Sequence, residues 1–204
     1  MMQKYCFILT AVILSLYGCK RDNPVNSTIK DQPDVIYPLA LGNRWDYQLI
    51  QYDTLGIAKD TSFYSKDIPS DTIISNEHWF LLSEFFYGIN RSDGLYVYFT
   101  GSGQSHLYFK YPTSVGDTVY AEPSKTDEYL KTMSVSDSIE LNGKMCIAYR
   151  YEIKYTIPWW NSNNYERYYL ISKIGLVQEE TRSPYLDSLN RVVARAKLIS
   201  YTLN

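Results

Sequence analysis

The chain has 204 residues, of which 45% are hydrophobic, 21% charged and 16% aromatic, enough for one domain with a sizeable core and too few for two. Twenty basic against 22 acidic residues give a formal charge of −2 and exclude the basic excess with which a protein neutralises a phosphate backbone, so nucleic acid is not an expected partner. Twenty-one tyrosines stand against two histidines and three cysteines: β-formers abound, while the usual metal ligands and acid–base side chains are scarce.

Met1-Met2-Gln3-Lys4 places one positive charge before an apolar run from Tyr5 to Tyr17 that only Thr10 and Ser15 interrupt. The run is shorter than the roughly 20 residues a bilayer core takes and has the layout of a secretory signal peptide over residues 1–18. Its end, Leu16-Tyr17-Gly18-Cys19, resembles the lipobox of bacterial lipoproteins, with Tyr17 bulkier than the small residue usual there. That resemblance implies cleavage behind Gly18 and lipidation of Cys19. Two acyl chains already anchor a protein stably, at about 0.8 kcal/mol per buried methylene, so the membrane becomes a partner through the lipid anchor. Lys20 in place of an aspartate after the cysteine implies, by the same resemblance, the outer membrane, with its periplasmic and cell-surface faces both open. Cys6 leaves with the signal and Cys19 carries lipid, so Cys146 has no disulfide partner and reads as an inert side chain beside a hairpin turn. Residues 19–35 are polar, hold two prolines and show no apolar period, as a flexible tether does.

Residues 36–204 read as a single β-rich domain. Trp45, Tyr47 and Leu49 alternate with Asp46 and Gln48. Trp79 through Tyr87 is a near-continuous apolar run; Ser92-Asp93-Gly94 turns the chain into Leu95 to Phe99, and Gly101-Ser102-Gly103 into Leu107 to Tyr111. Between residues 129 and 157 Asn142-Gly143 marks a two-residue hairpin turn. Beyond it Met145, Ile147, Tyr149, Tyr151, Ile153, Tyr155 and Ile157 are expected on one face, with Arg150, Glu152, Lys154 and Thr156 on the other. Further strands are expected at Tyr165 to Ser172, Leu176 to Thr181 and Val192 to Leu203. The whole predicts an all-β fold with little helix: about ten antiparallel strands in a curved sheet, a barrel or half-barrel, or a sandwich.

One pattern occurs twice. Tyr37-Pro38, three residues, Gly42-Asn43, one residue and Trp45 return as Tyr111-Pro112, three residues, Gly116-Asp117, one residue and Val119. Each copy reads as a bend that launches a strand, because Pro fixes φ and Gly with Asn or Asp supplies a turn. Tyr37-Pro38-Leu39-Ala40-Leu41-Gly42-Asn43-Arg44-Trp45-Asp46-Tyr47, Asp93-Gly94-Leu95-Tyr96, Tyr111-Pro112 with Val115-Gly116-Asp117-Thr118, Ile174-Gly175-Leu176-Val177-Gln178-Glu179-Glu180 and Leu198-Ile199-Ser200-Tyr201 together resemble a broad set of poorly characterised bacterial envelope lipoproteins. Val119 stands where those proteins often carry an aromatic. The resemblance implies a β-rich domain, with a curved sheet like that of lipoprotein-carrier folds, and no established activity.

The candidate catalytic residues are few. His78 follows Asn76-Glu77 and His106 follows Gln104-Ser105; neither sits in a nucleophile elbow, and two histidines with one cysteine have no metal-binding spacing. Glu179 and Glu180 are adjacent, so on a strand they point to opposite faces and cannot work as a glycosidase pair; Asp127-Glu128 has the same difficulty. No catalytic residue, metal or cofactor is assigned. Pro158-Trp159-Trp160-Asn161 lies between two strands, where exposed indoles could stack on a sugar or another flat apolar partner, and Tyr165 could extend that surface. The alternative is that the tryptophans fold back and close the end of a barrel. The expectation is a non-enzymatic, membrane-anchored domain that binds a ligand, with an envelope protein or a glycan as partner. Its rivals are a carrier with an apolar cavity for an acyl chain and, third, a glycan hydrolase.

Overall fold

A computed structural model describes residues 34–120, 129–157, 162–183 and 191–204; Cys19, the signal and most of the tether lie outside them. In chain order the strands are β1 (Arg44–Tyr52), β2 (Ala58–Asp67), β3 (Asp71–Ile74), β4 (Glu77–Ser83), β5 (Phe86–Arg91), β6 (Gly94–Phe99), β7 (Gln104–Lys110), β8 (Thr118–Tyr120), β9 (Tyr129–Leu141), β10 (Lys144–Ile157), β11 (Ser162–Ile171), β12 (Gly175–Ser183) and β13 (Arg191–Thr202). The described residues contain no helix. The strands form two open antiparallel sheets, one of eight in the order β2-β1-β13-β12-β11-β10-β9-β8 and one of five in the order β3-β4-β5-β6-β7. The all-β antiparallel class expected from the sequence is therefore the class observed.

The small sheet is inserted in the chain between β2 and β8, the two margins of the large one. It packs face to face on the large sheet. Leu95, Val97 and Phe109 are buried on its inner side, and the Phe109 ring lies 5.0 Å from that of Tyr151 and 5.6 Å from that of Tyr168. Rings at such separations and tilts add to the burial energy of the core.

The strand count is thirteen among the described residues, above the expected ten. The additional strands lack the usual signature. β2 is exposed at nearly every position, so its residues alternate between solvent and solvent, and β3 and β8 are four and three residues long. The apolar run from Trp79 to Tyr87 is two strands with a turn at Glu84-Phe85, marked in the sequence only by the short polar pair Ser83-Glu84.

The face expected along β10 is also corrected. Tyr151 is fully buried and Tyr149 and Ile153 pack on the core, but Met145 and Ile147 are 67% and 65% exposed, whereas Ala148 is buried and Cys146 partly so. Opposite Ala148 to Tyr151 the pairing with β9 is irregular, and such bulges bend a hairpin. The tip therefore leans across the outer side of the large sheet, where Ile139 and Leu141 share a hollow with Tyr169, Val177 and Leu198. The lean buries the side of β10 that a straight strand would expose and turns Met145 and Ile147 to water.

The separated motifs meet in space. Trp45 Nε1 donates to the Ile174 carbonyl at 2.6 Å, Tyr47 Oη to the Leu176 carbonyl at 2.8 Å, and the Lys173 amide to the Val35 carbonyl at 2.9 Å. Gly175 has φ +98°, and a Cβ there would sit 3.2 Å from the Tyr37 ring, so the glycine meets both the backbone and the packing requirement.

Candidate functional site

Between the sheets lies a cavity of about 600 Å³, within the range that holds small ligands. One wall is the small sheet. Leu95, Val97 and Phe99 line it from alternate positions of β6, Leu81 and Leu82 from β4, Phe86 from β5, and Tyr108 and Phe109 from β7. Phe99 is 42% exposed and stands edge-on to Phe86, 4.2 Å between centroids, while Leu95 and Val97 are buried deeper in. The other wall is the large sheet, from which Tyr168, Leu176 and Glu179 project, and Ser65, Lys66 and Asp67 of β2 form one side.

Leu176 and Glu179 share this wall although they are three positions apart, a spacing that places residues of a regular strand on opposite faces. The pairing of β11 with β12 steps from Tyr169↔Gln178 to Leu170↔Leu176 and leaves Val177 without a partner. The extra residue restores Leu176 to the face that Glu179 occupies and sends Val177 to the outer hollow. Glu180 lies on the opposite side, 3% exposed, where Arg182 reaches Oε2 at 2.8 Å and Arg195 reaches Oε1 at 2.9 Å. The adjacent glutamates thus serve opposite faces, as the strand geometry predicts.

Glu179 is the polar centre of the apolar cavity. Burial raises its carboxyl above the ordinary glutamate range, the Lys66 ammonium at 3.7 Å opposes that rise, and nearby Glu166 adds to it. Lys66 Nζ also lies 5.6 Å and 6.0 Å from the centroids of the Tyr47 and Tyr64 rings, which stack on one another. Burial pushes the Tyr64 and Tyr108 phenols up to about 12 and raises that of Tyr168 further, so all three stay neutral donors. The Tyr168 hydroxyl donates to Glu166 Oε2. The arrangement can enclose an apolar chain and offer a cation, a carboxylate and phenols to a polar group attached to it.

Among the residues singled out from the sequence, Tyr165 is half-buried and pairs with Lys154 and Arg182, whereas Trp159 and Trp160 lie outside the described residues. Cys146 is half-buried, and its thiol points at the Lys144 carbonyl at 3.8 Å. His78 pairs with Asp71 at the surface, and His106 stands across from Val97 on β7. Among the described residues no three His, Cys, Asp or Glu side chains gather as a metal site. Sequence reasoning did not find the cavity. Its one signal was the IGLV stretch, read as a strand start, which also carries the bulge that positions Glu179.

The sequence matches no protein-family model and no curated protein. Two solved structures are similar in shape. One, from Bacteroides fragilis, is described as an exported protein with a YmcC-like fold; it is 9% identical, with a TM-score of 0.44 over 84% of this chain and all of that one. The other, from Parabacteroides distasonis, is described as a lipoprotein; it is 12% identical, with a TM-score of 0.46 over 83% of this chain and 99% of that one.

Proposed function

We propose that this protein is an envelope lipoprotein, held on the outer membrane through Cys19, whose β domain binds without catalysis a ligand with an apolar portion in the cavity between its sheets. The anchor rests on the residues Leu16 to Cys19 and the polar stretch behind them. The observation that carries the binding reading is the cavity itself: about 600 Å³, walled by Leu, Val and Phe side chains, with Lys66 and Glu179 as its charged pair. A filled core would have favoured a protein partner on the surface. An open space of this chemistry favours an acyl chain or a comparable apolar ligand, the carrier among the alternatives from the sequence.

A cavity-filling substitution tests it. Val97 is 7% exposed and lines the cavity from the middle of β6, so Val97→Trp places an indole in the ligand's space. Wild-type protein is expected to bind a fluorescent long-chain fatty acid saturably, and the variant at least about tenfold more weakly while keeping its strand-rich circular dichroism. A folded wild-type protein that takes up no apolar probe and co-purifies with no extractable lipid would overturn the reading.

A further inference from the structure

The two adjacent glutamates of β12 are served unequally. On the outer side Glu180 accepts from Arg182 at 2.8 Å, from Arg195 at 2.9 Å and from Gln178 at 3.1 Å. On the cavity side the one ion pair of Glu179 among the described residues is with Lys66 Nζ at 3.7 Å, beyond the roughly 2.7–3.2 Å of a hydrogen bond. The Glu179 side chain is only 26% exposed, and a carboxylate withdrawn from water without donors is costly. It therefore brings spare acceptor capacity to the space that a ligand would fill.

The charges around that space are mostly of one sign. Among the described residues that line it, Lys66 is the only cation, against Asp67, Glu84 and Glu179, and Glu166 stands close enough to Glu179 to raise its carboxyl. Asp67 and Glu84 are exposed, which puts them at the rim. Lys66 is already engaged, paired with Glu179 and with its Nζ 5.6 Å from the centre of the Tyr47 ring. The Tyr168 hydroxyl donates to Glu166. An anionic head would enter against the rim carboxylates and find the one ammonium taken. A cationic head with N–H donors meets opposite charge at the rim and an unfilled acceptor within, and apolar walls strengthen both effects.

With the cavity as the ligand site proposed above, we infer that its ligand is an amphiphile with a primary ammonium head, the chain lying among Leu95, Val97 and Phe109 and the ammonium donating to Glu179. Such a head is compact and carries three donors and no acceptor, the complement of a carboxylate short of donors. A fatty acid still enters through its chain, held more weakly because the rim repels its head.

The mature chain with Cys19→Ser carries no lipid and needs no detergent, so it serves for the test. Dodecylamine, dodecanol and dodecanoic acid, equal in chain length, are titrated at neutral pH and low salt against the neutral fluorophore N-phenylnaphthylamine. The amine is expected to displace the fluorophore at a concentration at least about tenfold below that of the acid, with the alcohol between them. Glu179→Gln is expected to raise the amine's half-displacing concentration at least about fivefold and to lower that of the acid, because Lys66 is released to it. An alcohol value within about twofold of wild type then shows that the variant keeps its cavity. Lys66→Gln, which leaves the carboxylate in place, is expected to bind the amine at least as tightly as wild type. Equal displacement by amine and acid, a preference that survives Glu179→Gln, or a loss in that variant shared equally by all three ligands would overturn the ammonium head and leave the cavity as a ligand site. A folded wild-type chain that takes up neither the fluorophore nor any of the three would remove the cavity as the site and the ammonium head with it.

Discussion

The Gly-Asn/Asp ends of the two Tyr-Pro…Gly copies form one backbone device in two environments, although the Tyr111-Pro112 bond is cis and the Tyr37-Pro38 bond is not. In the first, the Gly42 amide donates to the Ile68 carbonyl and the Ile68 amide to the Asn43 carbonyl, both at 2.9 Å. In the second, the Gly116 amide donates to the Thr132 carbonyl at 2.9 Å and the Thr132 amide to the Asp117 carbonyl at 2.8 Å. The strand that follows takes the same register: Arg44 pairs with Asp67 as Thr118 pairs with Lys131. The side chains differ. Asn43 is fully buried, donating to the Pro38 carbonyl at 3.1 Å and accepting from the Asn204 amide at 2.8 Å. Asp117 accepts from the Ser114 amide at 2.9 Å and pairs with Lys110 at 3.0 Å near the surface. Glycine with a positive φ sets the clamp, and the surroundings decide whether an amide or a carboxylate completes it.

If the first copy anchors the core and the second only shapes a margin, equivalent substitutions should separate them. Trp45 is 1% exposed and hydrogen-bonded, so Trp45→Ala is expected to cost about 3–5 kcal/mol in urea unfolding, whereas half-buried Val119→Ala at the matching position is expected to cost about 1 kcal/mol. Equal losses would break the comparison. Next in size, Asn43→Asp puts a carboxylate against the Pro38 carbonyl without water and is expected to cost about 3 kcal/mol at neutral pH, less once acid protonates it.

The smallest effect is the most specific. The Ser114 amide, with the Lys110 ammonium, holds the Asp117 carboxyl below the ordinary aspartate range. A lowered carboxyl stabilises the fold above its unfolded value and ceases to do so as pH falls through its folded value. Asp117→Asn is therefore expected to lower the thermal midpoint slightly at neutral pH and to remove part of the loss seen below the ordinary aspartate range. Melting curves across the acid range check this, and an unchanged acid limb would show that the second clamp holds without its charge.

Legibility followed local pattern. Turn residues and β-formers set the class, and the shared Tyr-Pro…Gly pattern marked two bends that prove to be the same clamp. What escaped depends on residues far apart. Whether Met145 or Cys146 is covered is decided by a bulge opposite Ala148 to Tyr151 and by the lean of the hairpin onto Val177 and Leu198. The cavity likewise needs Val97 from one sheet and Glu179 from the other, a juxtaposition that no local window contains. β2 went unread for the opposite reason, since an edge strand wet on both sides has no apolar period.

The pairing of β1 with β13 sets a schedule for folding. Trp45 lies beside Tyr201 in the sheet, and the Asn204 amide completes the hydrogen bonds of Asn43. β1 can pair with its neighbour β2 at once, but its other edge must wait for β13, and contacts of such long sequence separation fold slowly because the chain between must first be gathered. Until β13 arrives, β1 and β12 present open edges, while the small sheet, whose strands pair with their sequence neighbours, can form as soon as it is made. A chain arrested before Arg191 should accordingly protect β4 to β7 from proteolysis and leave β1 open to it. An equally protected β1 would show that the large sheet assembles without its closing strand.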